Sequence, residues 1–542
     1  MEKWIWIWAA AALVGCGRHL ERVGSVDIVP EPSDIRVGEG VFSLTRRTEI
    51  RLSDGDSSLA RAAGFFGELA GKSLGRPLAV VRGGRQESGA ICVALGNLPA
   101  EAYVLSVRSD RIDLPAGVFY GFQTLRQMLP ESALRGEKAR AIDLPVVEIR
   151  DEPRIGYRAL LLDAGRHFFG PEEVKSVIDL MAMHKLNRLQ WHLTEDQGWR
   201  IEIRKYPELT RRGAWRDRSD LRPAEDGRPE KDPQPYGGYY TQQQVREIVR
   251  YAADRFIEIV PEIEMPGHAM AALASYPWLG CLGEGYEVPS LWGVKEDVYC
   301  AGKDSTFVFL EDVLTEVTDL FPYGLVHIGG DECPKARWKE CPRCQRRMRD
   351  EGLGSEEELQ SYFVRRIERF LASRNRRMVG WDEIRQGGLS ETAIVLSRKR
   401  EQGLRSALEN GNDVIMTPYL NCYFDYYQGS RETEPLAFGG FLPLRTAYDL
   451  DPFEGLNAEQ SRRILGVQCN LWTEFVATLD HAEYMLLPRL AAFAERAWTG
   501  GEGNYPDFLR RLESFSRLYD AQGYEYRDFR PEADSLRASL GS

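Results

Sequence analysis

The rhythm of apolar and polar positions changes near residue 153. Beyond it, short apolar runs, most ending in polar or acidic residues, recur eight times: at 157–163, 188–193, 257–263, 325–328, 377–381, 393–396, 413–417 and 465–472. Runs of this length bounded by polar residues read as strands buried on both faces. Helical spacing fills the intervals. Between the first two runs, Pro171 stands at a first helical position with Glu172 and Glu173 in the first turn. Val174, Val177, Ile178 and Met181 then follow at i, i+3, i+4 and i+7, which predicts a helix. Eight strands alternating with helices predict an α/β fold, a (β/α)8 TIM barrel over 151–500. A doubly wound open sheet is the alternative. No GxGxxG or GxxxxGK loop follows any run, which weakens a nucleotide-binding reading.

Residues 26–150 read as a smaller α+β companion domain. Strands are expected at 26–29 and 41–44, broken by Pro30, Pro32 and Gly38, and at 102–107; helices are expected over 57–70 and 120–128. The segment 501–542 is expected to be helical and to pack on the barrel. At the other end, Lys3 precedes an unbroken apolar run over 4–14, too short to cross a bilayer core of ~30 Å as a helix. A charged start, a short apolar stretch and small residues describe an export signal over 1–15. Leu13-Val14-Gly15-Cys16 resembles the bacterial lipobox, whose cysteine becomes lipid-modified. The expectation is an exported lipoprotein, periplasmic or at the cell surface, held to the membrane only through Cys16 and a tether over 16–25. An ordinary signal peptide with an incidental cysteine is the alternative.

Composition narrows the partners. The chain carries 70 basic and 82 acidic residues, a formal net charge of −12, which argues against nucleic acid. Its 43% apolar content excludes a disordered chain, and 12 tryptophans among many aromatics point to an aromatic-rich enzyme. Besides Cys16 there are cysteines at 92, 281, 300, 333, 341, 344, 422 and 469. Export would let some of them pair. Cys281 and Cys300 bracket a glycine-containing loop and are the first candidate disulfide. Cys341-Pro-Arg-Cys344 has CxxC spacing, with Cys333 eight residues earlier. No second CxxC is present, and His327 falls inside a predicted strand. A loop disulfide or buried thiols are expected there, with no metal and no cofactor.

A barrel places its site at the carboxyl ends of the strands. The first run ends in Asp163-Ala-Gly-Arg166-His167, and the second in His192-Leu-Thr-Glu195-Asp196-Gln-Gly-Trp199. The third ends in Glu262-Ile-Glu264-Met-Pro-Gly-His268, the fourth in His327-Ile-Gly-Gly-Asp331-Glu332 and the fifth in Trp381-Asp382-Glu383. The seventh leads to Tyr423-Phe-Asp425 and the eighth to Trp472-Thr-Glu474. A solvated strand end accounts for any one of these residues. It accounts poorly for the ring, because tryptophans are costly to expose. Paired carboxylates with aromatic walls suit glycoside cleavage. Asp331 and Glu332 are adjacent and point in different directions, so they could address two atoms of one substrate. Gly329-Gly330 before them suggests close approach by a ligand or another chain segment.

His327-Ile-Gly-Gly-Asp-Glu332, Trp191-His-Leu-Thr-Glu-Asp-Gln-Gly-Trp-Arg200, Pro261-Glu-Ile-Glu-Met-Pro-Gly-His268 and Asp163-Ala-Gly-Arg-His-Phe-Phe169 closely resemble motifs of the family 20 glycoside hydrolases, the β-N-acetylhexosaminidases. The resemblance covers nearly all of the mature chain, and Val26-Asp-Ile-Val-Pro-Glu-Pro32 is similar to the start of that family's companion domain. It implies an exo-acting enzyme that removes terminal β-linked N-acetylglucosamine or N-acetylgalactosamine from glycans. The implied mechanism is substrate-assisted and retaining: the 2-acetamido oxygen attacks the anomeric carbon. The resemblance further implies Glu332 as general acid and then base, in an enclosed pocket that raises its pKa, and Asp331 as the group orienting the acetamido. Arg166, Asp425 and Glu474 would bind sugar hydroxyls and Tyr423 the acetamido oxygen. Trp381 and Trp472 would wall the acetamido methyl and sugar face. His268, oriented by the carboxylate at 195, would support the acid.

Two positions depart from the family. Glu195 stands where an aspartate is usual. Arg398, in Val395-Leu396-Ser397-Arg398, stands where a tryptophan usually helps to form the acetamido box. Arg398 is expected either to fold outward and loosen the pocket or to present a cation to a substituent such as sulfate or a uronic acid. Altered specificity or weakened activity is the expectation. The alternative is a glycan-binding lipoprotein that has lost turnover; an endo-acting or disaccharide-releasing enzyme is a third reading.

Overall fold

Eight parallel strands close into a barrel in the computed structural model: Tyr157–Asp163, Arg188–His192, Glu258–Glu262, Leu325–His327, Arg377–Trp381, Ile394–Ser397, Asp413–Met416 and Ile464–Leu471, the last pairing with the first. Each apolar run of the sequence is one of these strands. All seven residues of Tyr157–Asp163 are buried, because helices cover the outer face and side chains fill the interior. Tyr157, Ala159, Leu161, Val379, Trp381, Ile394, Leu396 and Ile415 make up that interior cluster. The helix Pro171–Met183 forms as expected, with Glu173 accepting from the Gly170 N–H at 2.5 Å. The described residues are 26–540 without 54–56, 84–87, 95, 97, 100, 116, 220–233 and 400–402. The expected leader, Cys16 and the tether lie outside them.

A seven-stranded mixed sheet precedes the barrel, with helices Ser57–Leu74 and Val118–Gln127 beside it. Two expectations fail there. Residues 26–29 form no strand: the Gln127 amide accepts from the Val29 N–H at 2.9 Å and donates to its carbonyl at 2.7 Å, taking the place of a sheet neighbour. Gly38 does not end a strand either. Asp34–Thr45 runs through it, and the register against Ala141–Asp151 shifts between Val37 and Val41. The expected Cys281–Cys300 disulfide is also not formed, since none of the eight described cysteines is in a disulfide.

Buried charge locks the companion domain to the barrel. Asp151 accepts from Lys185 Nζ at 3.0 Å, Tyr103 Oη at 2.7 Å, Trp498 Nε1 at 2.9 Å and the Ser33 N–H at 3.2 Å. The helix Tyr505–Gln522 touches both bodies: Arg511 pairs with Glu495 and donates to the Ile28 carbonyl at 2.9 Å, and Tyr519 meets His184 Nε2 at 2.7 Å. Burial pushes His184 down to about 4, so it is neutral in the fold. An unfolded imidazole takes up a proton near 6.5 that the folded one refuses, so stability is lost as pH falls through this window. The loss from His184 is on the order of 3 kcal/mol. In His184→Gln, which keeps a partner for Tyr519, the deficit in unfolding midpoint relative to the parent should shrink as pH falls from 6.5 towards 4. A deficit independent of pH would show that His184 does not carry this linkage.

Candidate active site

Asp163, at the end of the first barrel strand, organises the rim. Its carboxylate accepts from the N–H groups of Gly165 at 2.8 Å, Arg166 at 3.1 Å and Thr473 at 3.1 Å, joining the ends of strands one and eight. It also takes Arg166 Nη1 at 3.3 Å and so aims that guanidinium. Arg200 holds the same turn from below, donating to the carbonyls of Ala164 at 2.9 Å and Gly165 at 2.7 Å. A Cβ on Gly198 would lie 2.1 Å from the Arg200 guanidinium carbon, which is why glycine stands in Gln-Gly-Trp-Arg. Arg166 reaches Glu195 at 3.1 Å and Glu474 at 4.0 Å and lies 5.0 Å over the Trp472 ring.

Glu195 bridges the site. Its Oε1 meets His268 Nδ1 at 2.7 Å and its Oε2 meets His192 Nε2 at 3.1 Å, so the longer side chain makes the expected contact with His268. His268 Nε2 is 3.6 Å from Glu332 Oε2. Burial alone would strip the His268 proton, but Glu195 and Asp196 outweigh it and hold the imidazolium well above its usual range. Burial likewise disfavours charge on Glu195, yet Arg166 and His268 keep it ionised. Beneath lies a layer that sequence reasoning missed. Glu262 joins His192 at 2.8 Å, His327 at 2.9 Å, Gln190 at 2.7 Å and Trp381 Nε1 at 3.0 Å. Burial opposes the proton on His192 too, and the flanking Glu262 and Glu195 lift it to about 10. Glu195, Asp196 and His268 could hold a cation, as could His192, Glu262 and Glu264, but in each group the carboxylates face the imidazole, Asp196 at 3.4 Å from His268 and Glu264 at 3.9 Å from His192.

Gly329 and Gly330 admit other chain segments rather than a ligand. Both have positive φ, 67° and 92°, and Cβ atoms there would lie 1.7 Å from Glu264 Oε2 and 2.3 Å from Ile384 Cγ2. Burial, with Asp331 and Glu262 nearby, raises Glu264 well above the carboxylate range. His268 and Glu332, which face each other, are both left-handed at φ 47° and 43°. Such backbone costs about 1–3 kcal/mol per residue and persists where surrounding structure enforces it. Asp331 is buried, and its Oδ1 has no hydrogen-bond partner. The Glu332 side chain is 44% exposed, so the enclosure expected around it is absent.

A cavity of about 510 Å³ is lined by Arg166, His268, Asp331, Glu332, Arg398, Tyr423, Asp425, Trp472 and Glu474, and also by Trp292, Tyr426 and Phe438. The buried Arg489 positions the Tyr423–Asp425 segment, donating to the carbonyls of Phe424 at 2.5 Å and Tyr426 at 2.9 Å. Burial raises Asp425 well above the carboxylate range and raises Glu474; Asp425 Oδ1 and Glu474 Oε2 have no hydrogen-bond partners.

One tryptophan expectation is corrected. Trp381 is fully buried in the barrel interior and is not in the lining of this cavity, and Trp191, Trp199, Trp338 and Trp498 are core. Trp292, which no motif marked, does line the cavity, as Trp472 does. Arg398 does not fold outward. Its guanidinium covers the Trp381 ring at 5.4 Å, bonds Glu383 and lies 3.5 Å from Asp331 Oδ2 and 3.7 Å from Asp382. Three acidic groups surround this cation, which still lines the cavity; burial raises one of them, Glu383, to about 8.

Residues 156–501 match the family model described as glycosyl hydrolase family 20, catalytic domain, and residues 25–152 match that family's domain 2. The chain is 43% identical to a β-hexosaminidase of Porphyromonas gingivalis, aligning 96% of this chain with 67% of that protein. It is 36% identical to a β-hexosaminidase of Vibrio furnissii over 87% of this chain and 76% of that one. Among solved structures it superposes on a GH20 exo-β-N-acetylglucosaminidase from Vibrio harveyi in complex with N-acetylglucosamine. The TM-score is 0.82 at 32% identity, covering 93% of this chain and 78% of that one. The β-N-acetylhexosaminidase of Streptomyces coelicolor gives 0.80 at 30% identity, covering 93% and 97%.

Proposed function

This chain belongs to glycosyl hydrolase family 20, and from that membership we propose that it is an exo-acting β-N-acetylhexosaminidase working by substrate-assisted, retaining catalysis. The observation that carries the reading is the pair Asp331 and Glu332 at one cavity wall, with Asp331 Oδ1 buried and unpartnered. A 2-acetamido N–H would donate to that oxygen, turning the amide carbonyl toward the anomeric carbon. As the carbonyl oxygen attacks, Glu332 protonates the departing glycosidic oxygen and the C–O bond breaks, leaving an oxazolinium ion. Asp331 stabilises its positive charge. Water then attacks the anomeric carbon while Glu332, now a carboxylate, takes its proton. The ring opens and the sugar leaves with its β configuration. The His268 imidazolium, fixed by Glu195, faces the Glu332 carboxyl at 3.6 Å and so positions it. Arg166, Asp425 and Glu474 would bind the hydroxyls of the terminal sugar, the raised carboxyl groups donating as well as accepting.

Turnover of an aryl N-acetyl-β-glucosaminide or galactosaminide, read as released phenol, tests the proposal; absence of turnover with both would overturn it. We place the protein at a membrane through a lipid on Cys16, on the strength of the Leu-Val-Gly-Cys segment after a charged, apolar start. Incorporation of a labelled fatty acid by the parent and not by Cys16→Ser is the expected result. Equal labelling, or none in either, would remove the anchor.

A further inference from the structure

The loop after the third barrel strand and the helix Pro342–Glu351 bring four cysteines together. Cys281 Sγ lies 3.9 Å from Cys344 Sγ, and Cys300 Sγ lies 3.8 Å from Cys341 and 3.6 Å from Cys344. All four sulfurs are within 4.8 Å of one another. A disulfide would draw one pair to about 2.05 Å. Here Cys300 and Cys344 each approach two others at nearly equal distances. A tetrahedral ion with metal–sulfur bonds of about 2.3 Å sets every sulfur–sulfur edge at about 3.8 Å, which these separations match. We propose that Cys281, Cys300, Cys341 and Cys344 are the ligands of a structural Zn²⁺ ion.

The surroundings fit a buried tetrathiolate. Cys300, Cys341 and Cys344 are buried, and Cys281 is partly so. Cys341 is the N-cap and Cys344 lies in the first turn of a ten-residue helix, whose N-terminal dipole favours thiolates. Lys303 adds positive charge, anchored on the Gly280 carbonyl at 2.6 Å, next in the chain to Cys281. The backbone approach is equally specific: a Cβ on Gly302 would lie 2.4 Å from the Cys344 nitrogen, so only glycine lets the 300–302 turn pack on the helix start. Four sulfur donors in tetrahedral array select zinc over hard cations. Zinc uptake converts the four thiols to thiolates, with their protons passing to solvent, and changes no oxidation state.

The ion would clamp two walls of the catalytic cavity. The loop between Cys281 and Cys300 carries Trp292, Gly293 and Val294 into the cavity lining, and the segment from Glu332 leads to Cys341. No catalytic step runs through the metal. Metal analysis of the purified full chain should find about one zinc per chain, retained through dialysis. Cobalt substitution should give the visible d–d bands of a tetrahedral thiolate site. Cys281→Ser, at the most exposed ligand, should lose the zinc and lower the unfolding midpoint. A Cys92→Ser control, far from the cluster in sequence, should keep both. Should Cys281→Ser fail to fold, the wild-type stoichiometry and peptide mapping still decide. A chain that takes up no zinc even when it is supplied overturns the proposal. So do mapped Cys281–Cys300 or Cys341–Cys344 disulfides, or a zinc content unchanged in Cys281→Ser.

Discussion

Glu332→Gln is expected to lower kcat on an aryl N-acetyl-β-hexosaminide by about 10²–10⁴-fold, the usual worth of a positioned general acid and base. The amide is nearly isosteric, so the His268 contact at 3.6 Å and the left-handed backbone can persist while the transferable proton is gone. Leaving-group dependence makes the test specific. A departing phenolate of low basicity needs little protonation, so the loss in bond cleavage should shrink as the phenol becomes more acidic. A loss of equal size across leaving groups would mean that Glu332 only shapes the cavity.

Arg398→Trp should act in the opposite sense, raising kcat/KM on a neutral aryl N-acetylglucosaminide by about tenfold or more, since each ~1.4 kcal/mol off the barrier is tenfold. The reason is electrostatic. Asp331 is asked to stabilise developing positive charge, yet the Arg398 guanidinium already stands 3.5 Å from its Oδ2. Two unit charges about 4 Å apart interact by about 4 kcal/mol at an intermediate dielectric. Glu383 and Asp382 offset part of the cation, so only a fraction of that should appear in the barrier. An indole would also return an apolar wall for the acetamido methyl. Arg398→Ala, which removes the charge without the wall, should recover only part of the gain. A fall in kcat/KM for Arg398→Trp in a folded protein would show instead that the guanidinium holds Asp331 in its working orientation.

The barrel was legible because its parallel strands are buried on both faces, so each had to be written as a continuous apolar run such as Tyr157–Asp163. The site carboxylates were legible because strand ends recur in chain order and their motifs are local. What one side chain finds across the barrel was not. Trp381 and Trp472 both end apolar strands and read alike, yet one sits in the interior bonded to Glu262 and the other lines the cavity. Strand 26–29 failed for a related reason: its partner is the side chain of Gln127, about a hundred residues away, and no periodicity records that.

By itself, then, the sequence determined the order of strands and helices, the identity of the acid–carboxylate pair and the substitution at 398, all of which are spelled within a few neighbouring residues. Tertiary structure alone decided that Arg398 turns inward onto Asp331, that Glu262 joins His192 to His327, and that cysteines up to 63 positions apart share one corner. Those outcomes depend on closing the barrel. Its closure sets rim residues from different strands within a few ångströms of one another, at distances that spacing along the chain does not encode.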